Sequence, residues 1–395
     1  MTGTVEGTGR YLVLLEDDAA DEGARTMTRV AGLRTASTAD IAGESTAVLP
    51  GSDGLVLHDL GVAVVVAGAD QVEALTRATR ERGPIAFVER ERTVHAIATA
   101  PTAPPAPPAE VDETTFTWGL QAVGAPDSPA TGAGMRVAVL DTGFDAEHPD
   151  FAGRVVESRS FVPGEEVSDG HGHGTHCIGT ACGPREPDTG PGYGVAYEAE
   201  IYVGKVLSNA GSGTDGGILA GIAWAIGHGC PIVSMSLGAP VRPGDPHSPV
   251  FERVARRAVA RGTLLIAAAG NESSRRAGRI APVGHPANCP SIMAVGAVDA
   301  HGEIADFSCG SVDPERAVDV VGPGVDVHSA WPMPARHRTI SGTSMATPHV
   351  AGVAALLAQH HNARGWELWA RLGQSAHRSP LPSTDVGAGL VRAPR

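Results

Sequence analysis

Three short patches, far apart in this chain of 395 residues, carry side chains that could work together on one carbonyl. Asp141-Thr142-Gly143 closes an apolar run. His173-Gly174-Thr175-His176 follows a glycine-rich stretch. Gly342-Thr343-Ser344-Met345-Ala346-Thr347-Pro348-His349 opens a small-residue helix near the C-terminus. A hydroxyl is a poor nucleophile until a base takes its proton, and an imidazole serves best as that base when a carboxylate fixes its tautomer. Asp141, His173 and Ser344 supply one group of each kind. Asp145 and Asp150 are rival carboxylates, better read as solvated loop residues; Thr343 and Ser341 are the competing hydroxyls. His171, His173 and His176 with Cys177 also raise a zinc reading. Helical zinc ligands, however, usually sit at i, i+4 with a glutamate base between them, and no glutamate lies between these residues.

The order Asp, His, Ser narrows the chemistry, because related triads on unrelated folds run in other orders. An α/β-hydrolase would need Gly-x-Ser-x-Gly, and Ala346 stands where the second glycine should be. On these patches, above all the run Gly-Thr-Ser-Met-Ala-Thr-Pro-His-Val-Ala-Gly over 342–352, the chain resembles the subtilisin-like serine peptidases (subtilases) across residues 115–395. The resemblance implies a serine endopeptidase acting through an acyl-enzyme. Ser344 would be the nucleophile, His173 the general base and Asp141 its orienting carboxylate. Asn271, in Ala268-Ala269-Gly270-Asn271, would hold the oxyanion with the Ser344 N–H. His176 would be a buried structural residue, and Cys177 would lie beneath the base.

Two segments, Ser236-Leu237-Gly238 and Ala268-Ala269-Gly270, are expected to line the substrate channel as strand edges. Their small side chains predict a roomy first pocket without fixed charge, suited to apolar or aromatic residues rather than dibasic ones. The resemblance implies no cofactor for catalysis and allows structural calcium. Asp150 falls where the family's aspartate ligand would be, while the 182–194 loop departs from the usual asparagine-rich pattern.

The formal charge of −14 argues against a nucleic-acid-binding surface. No run is long and apolar enough to span a bilayer. The resemblance implies a polypeptide substrate and the chain's own N-terminal segment as partners, and a monomer with no membrane or nucleic-acid partner is expected. The N-terminus lacks the basic-then-apolar pattern of a secretory signal, which leaves a cytoplasmic protein or an exported one without its leader. Cysteines 177, 182, 230, 289 and 309 are an odd number, so at least one is outside any intramolecular disulfide. Cys289 and Cys309 are the pair to suspect if the protein is exported. Lys205 is the only lysine.

The elements that must position these residues fall into two units. Residues 1–100 read as a small α+β unit in the ferredoxin-like order β-α-β-β-α-β, with 34–53 as a loop and helices at 19–30 and 69–82. Upstream of a subtilase domain, such a unit resembles the inhibitor-like propeptide of a zymogen. A Pro/Ala-rich linker over 101–114 favours extended polyproline conformation and suits self-cleavage somewhere in 95–115. From residue 115 to 395, apolar strands alternate with helices, the pattern of an α/β, doubly wound parallel sheet. Two alternatives accompany the endopeptidase reading: a catalytically silent binding protein on the same fold, and a narrow-specificity maturation peptidase acting inside the cell.

Overall fold

The computed structural model describes residues 9–40, 51–97, 111–313 and 316–395. The expected linker lies outside the described residues as far as residue 110.

The N-terminal unit runs β1 (Arg10–Leu15), α1 (Ala20–Ala31), β2 (Thr35–Ser37), β3 (Gly54–Leu57), β4 (Val62–Val66), α2 (Ala69–Ala78) and β5 (Ile85–Arg90). Its sheet has the order β2-β3-β4-β1-β5. Without the edge strand β2, that is the ferredoxin-like order. Two details differ from the sequence reading. Thr35–Ser37, read as loop, adds to the sheet parallel to β3. The second helix ends at Ala78 rather than Arg82, because its apolar face runs out after Leu75 and the exposed Arg80-Glu81-Arg82 leads into Gly83-Pro84. Strand periodicity splits the apolar residues between two faces. Val13, Leu15, Val56, Ala63 and Val65 meet α1 and α2, whereas Leu12, Leu14, Leu55, Leu57, Val62 and Val64 join a core of the larger unit.

After β6 (Thr93–Ala96) and a short helix α3 (Trp118–Val123), the chain alternates. The elements are β7 (Arg136–Asp141), β8 (Val156–Ser160), α4 (His173–Cys182), β9 (Glu200–Lys205), β10 (Ser212–Thr214), α5 (Asp215–Gly227), β11 (Ile232–Met235) and β12 (Leu237–Gly238). They continue through α6 (Pro249–Ala260), β13 (Leu264–Ala268), β14 (Met293–Val298), β15 (Val320–Pro323), β16 (Val327–Ala330), β17 (His337–Ile340) and α7 (Thr343–His361). Seven strands form one parallel sheet in the order β15-β14-β13-β11-β7-β9-β8. Alternate residues face opposite layers: Val137 and Val139 pack toward α4 and α7, Ala138 and Leu140 toward α5 and α6. Each fully buried Val or Leu contributes roughly 1.5–3 kcal/mol. The strand order reverses beside β7, so a crevice opens past its carboxyl end, where Asp141 stands.

The two units meet through helix N-termini. Glu91, from the turn after β5, accepts the backbone N–H of Gly216 at the head of α5 (2.9 Å) and a bidentate pair from Arg10 (2.5 and 2.8 Å). Glu89 accepts the Ser248 hydroxyl and the Val250 N–H at the head of α6. Carboxylates there satisfy orphan N–H groups and complement the helix dipole. Farther along α6, the Arg257 guanidinium donates to the carbonyl oxygens of Leu15 and Leu60.

Candidate active site

Asp141 ends β7 with its side chain almost wholly buried. Its Oδ1 accepts the Thr142 N–H and stands 2.7 Å from Nδ1 of His173, itself 1% exposed. The turn is tight for a local reason: Gly143 has φ +114°, and a Cβ on Gly174 would strike the Gly143 backbone. His173 opens α4, whose start is held by Asp169. That carboxylate accepts the N–H groups of His171 (3.1 Å), Gly172 (2.8 Å) and Thr175 (2.8 Å) and the hydroxyls of Thr142 and Thr175 (both 2.8 Å). Burial would raise the Asp169 carboxyl, but these donors hold it below its ordinary range. Burial alone would likewise push the His173 imidazole down; the adjacent Asp141 carboxylate outweighs this and holds it well above its ordinary value.

Ser344 lies in the first turn of α7 and is buried. Its hydroxyl donates to the carbonyl oxygen of Ile97 at 2.5 Å and reaches that of Ser236 at 3.1 Å. It is therefore not turned to His173, whose Nε2 is buried and has no hydrogen-bond partner among the described residues. Asn271 donates its Nδ2 to the same Ile97 carbonyl at 3.0 Å. Its Oδ1 accepts from the Thr343 N–H and hydroxyl, both at 2.9 Å, which fixes the amide with its donor toward the cleft.

The segment ending at Ile97 fills the cleft as a strand. β6 pairs antiparallel with β12 on one side (Leu237 opposite Ala96, Gly238 opposite His95) and with β10 on the other (Ser212 opposite His95, Gly213 opposite Val94). Gly211 also accepts the Ala96 N–H at 2.9 Å. Ser236-Leu237-Gly238, expected from the sequence as a channel edge, thus lies alongside β6. Gly211–Thr214, which the sequence reading did not name, flanks β6 on the other side. Ala268, Ala269 and Gly270 lie deeper: Ala269 bonds to Val295 and Gly284, and the Gly270 N–H donates to the Thr343 hydroxyl. The Ile97 side chain rests against Gly238, where a Cβ would approach it to 3.0 Å. Glu272 brings a carboxylate against Gly270 and accepts the Cys309 thiol at 3.2 Å, a charge the sequence reading did not weigh.

His176 is buried, its Nε2 facing the carbonyls of Val327 and Arg338, and burial pushes its pKa down to about 3. Cys177 sits 3.9 Å from His173 Nδ1, and burial raises its thiol. Cys289 and Cys309, the pair to suspect if the protein is exported, are not bridged: all five cysteines are free and buried. Cys289 faces the Ser248 carbonyl and Cys309 faces Glu272. Asp150 carries Arg336, His337 and Tyr193 on its carboxylate, a donor set that does not fit calcium. Two positioning groups escaped the sequence reading. Asp169 is one; its place just ahead of a helix start was the available signal. Lys205 is the other. It is wholly buried, and its ammonium donates to the Thr142 carbonyl and to Asn209 Oδ1 (2.9 Å), with Glu165 at 3.3 Å.

The model of the Subtilase family matches residues 132–389. Subtilisin Savinase of Lederbergia lenta is 39% identical over 285 residues, 70% of this chain and 96% of that protein. Subtilisin NAT of Bacillus subtilis subsp. natto is 37% identical over 303 residues, 75% of this chain and 71% of that protein. Subtilisin DY of Bacillus licheniformis is 40% identical over 259 residues, 65% and 86% of the two chains.

Proposed function

The chain belongs to the subtilase family and is a serine-type endopeptidase; from that premise we propose that its peptide hydrolysis runs on Asp141, His173, Ser344 and Asn271, and that its first substrate is its own Ile97–Ala98 bond. One observation carries the reading. A single backbone carbonyl, that of Ile97, takes both the Ser344 hydroxyl (2.5 Å) and the Asn271 amide (3.0 Å), directly after β6, a strand paired on both sides.

The chemistry uses only groups of this chain and water. Ser344 Oγ attacks the carbonyl carbon of residue 97 while its proton passes to His173 Nε2, a buried nitrogen with no other partner among the described residues. Asp141 accepts Nδ1–H and stabilises the imidazolium. The oxyanion forms where the Asn271 Nδ2 donor already points, beside the Ser344 backbone N–H in the first turn of α7. Collapse breaks the C–N bond, and Nε2 returns the proton to the departing amine of Ala98. Water then adds to the ester by the same route in reverse, releasing the Ile97 carboxylate and regenerating the Ser344 hydroxyl.

Residues 1–97 are then an inhibitory propeptide, held in the cleft by the two ladders of β6 and by Glu89 and Glu91. Other polypeptides would enter in the same extended form, with an apolar residue before the cut, as Ile97 lies against Gly238. Intact-mass analysis of the expressed protein tests the assignment. A new N-terminus at Ala98 in the parent and an uncut Ser344→Ala chain are expected; a cut elsewhere, or cleavage that survives Ser344→Ala, overturns it. Casein then separates a degradative enzyme, which digests it broadly, from a narrow maturation peptidase, which leaves it intact.

A further inference from the structure

We propose that the guanidinium of Arg336 takes the cation's place beside Asp150, so that this part of the fold is clamped by an internal ion pair and not by bound calcium. The proposal goes beyond the catalytic reading and does not depend on it.

The Asp150 side chain is wholly buried. One carboxylate oxygen takes Arg336 Nη2 at 2.6 Å; the other takes His337 Nε2 at 2.8 Å and the Tyr193 hydroxyl at 2.7 Å. Calcium needs six to eight oxygen ligands. Here the neighbours present hydrogen atoms to the carboxylate, not lone pairs to an ion. Burial, with Asp150 adding to it, keeps the Tyr193 phenol protonated and thus a donor.

Arg336 is also set in place deliberately. Its backbone lies at φ +62°, a left-handed conformation that costs an L-residue energy. Its carbonyl is taken by His148 Nε2 at 2.7 Å, while His148 Nδ1 accepts the Asp150 N–H at 3.2 Å. His148, Asp150 and His337 offer ligand atoms within 4.8 Å of one another, which invites a transition-metal reading. But both ring nitrogens of His148 are already engaged, and Asp150 is engaged by three donors. Asp188, in the loop whose sequence departs from the asparagine-rich pattern, faces the same guanidinium at 3.6 Å.

The clamp joins three segments: the turn after Asp141, the 183–194 loop, and the β16–β17 hairpin. That hairpin runs directly into Ser341–Ser344, and its Trp331 packs against Gly172, just ahead of His173. An ion pair here therefore holds the walls of the reactive site without a soluble ligand.

Melting of the full-length chain, carrying Ser344→Ala to prevent autolysis, tests this. Equal melting temperatures in excess EDTA and in millimolar calcium chloride are expected. Arg336→Met should lower the melting temperature by roughly 5–10 °C, because it leaves a buried carboxylate without its cation, and Arg336→Lys should recover part of the loss. A calcium-dependent rise that Asp150→Asn abolishes overturns the proposal, as does an Arg336→Met chain that melts like its parent. If Arg336→Met does not fold, Tyr193→Phe serves instead: a smaller loss unaffected by calcium supports the clamp, and a loss that calcium reverses overturns it.

Discussion

The Ser344 hydroxyl lies 2.5 Å from the carbonyl oxygen of Ile97, a residue 247 positions away, and Asn271 Nδ2 approaches the same oxygen at 3.0 Å. The contact joins two units that the sequence separates with a proline-rich stretch. It sets a register for the segment in the cleft: Ile97 stands before the proposed cut, with Ala96, His95 and Val94 running back along β10 and β12.

Asn271 is expected to act on the transition state more than on binding. Asn271→Ala should lower kcat by about 10²–10³ with little change in KM, the size known for such a donor in subtilisins and not a value special to this chain. Because Asn271 Oδ1 also caps Thr343, Asn271→Asp is the control: it keeps that acceptor but puts negative charge at the oxyanion. Single-turnover rates on a peptide anilide, with melting curves alongside, check this. An Asn271→Asp enzyme as fast as its parent would sink the role.

The Asp141–His173 pair is expected to set the acid limb of activity. Burial depresses the imidazole, but the Asp141 carboxylate prevails and raises it well above its ordinary value. The base must be neutral to accept the Ser344 proton. Activity should therefore rise with pH through a point above the usual imidazole value of about 6.5. The linkage to stability has the opposite sense: the pair's contribution is complete below the unfolded imidazole pKa and is lost as pH rises through the folded one. A pH profile of kcat/KM on the processed enzyme is the measurement. An inflection well below 6.5 would contradict the assignment.

Glu91 anchors the N-terminal unit. Its removal takes the carboxylate away from both the Arg10 guanidinium and the Gly216 N–H at the head of α5. A separately produced 1–97 segment bearing Glu91→Ala should inhibit the processed enzyme about 10²-fold more weakly than the parent segment. Titration of residual activity reads this out. Equal inhibition would place the grip entirely in the β6 ladders.

Apolar runs made the parallel sheet legible in advance, because each strand depends on local sequence, and the motifs singled out Asp141, His173, Ser344 and Asn271 as the residues to test. What stayed hidden was set by tertiary contact. Gly211–Thr214 reads as a loop until β6 lies beside it. Asp169 shows its role only when α4 presents its free N–H groups to it. Lys205 reads as an ordinary strand residue, yet its ammonium braces the turn after Asp141. Cys289 and Cys309, a pair to suspect only in an exported protein, show the same dependence: the packing gives each thiol a different oxygen.

Asp319 marks a place where the fold carries a charge at a loss. It leads into β15, and its carboxylate takes the Ala294 N–H at 2.8 Å. Desolvation raises its pKa to about 7, with the Ala294 donor offsetting part of the rise. The native state thus holds a proton that the unfolded chain gives up near pH 4. Stability from this group is complete below that pH and falls as pH climbs through about 7. Asn offers the same acceptor to Ala294 without the charge. Asp319→Asn should therefore raise the melting temperature by several degrees at pH 8 and change it little at pH 4, read by calorimetry on the uncut Ser344→Ala background. A variant that melts lower at pH 8 would mean that the ionised carboxylate has a stabilising role that desolvation does not outweigh.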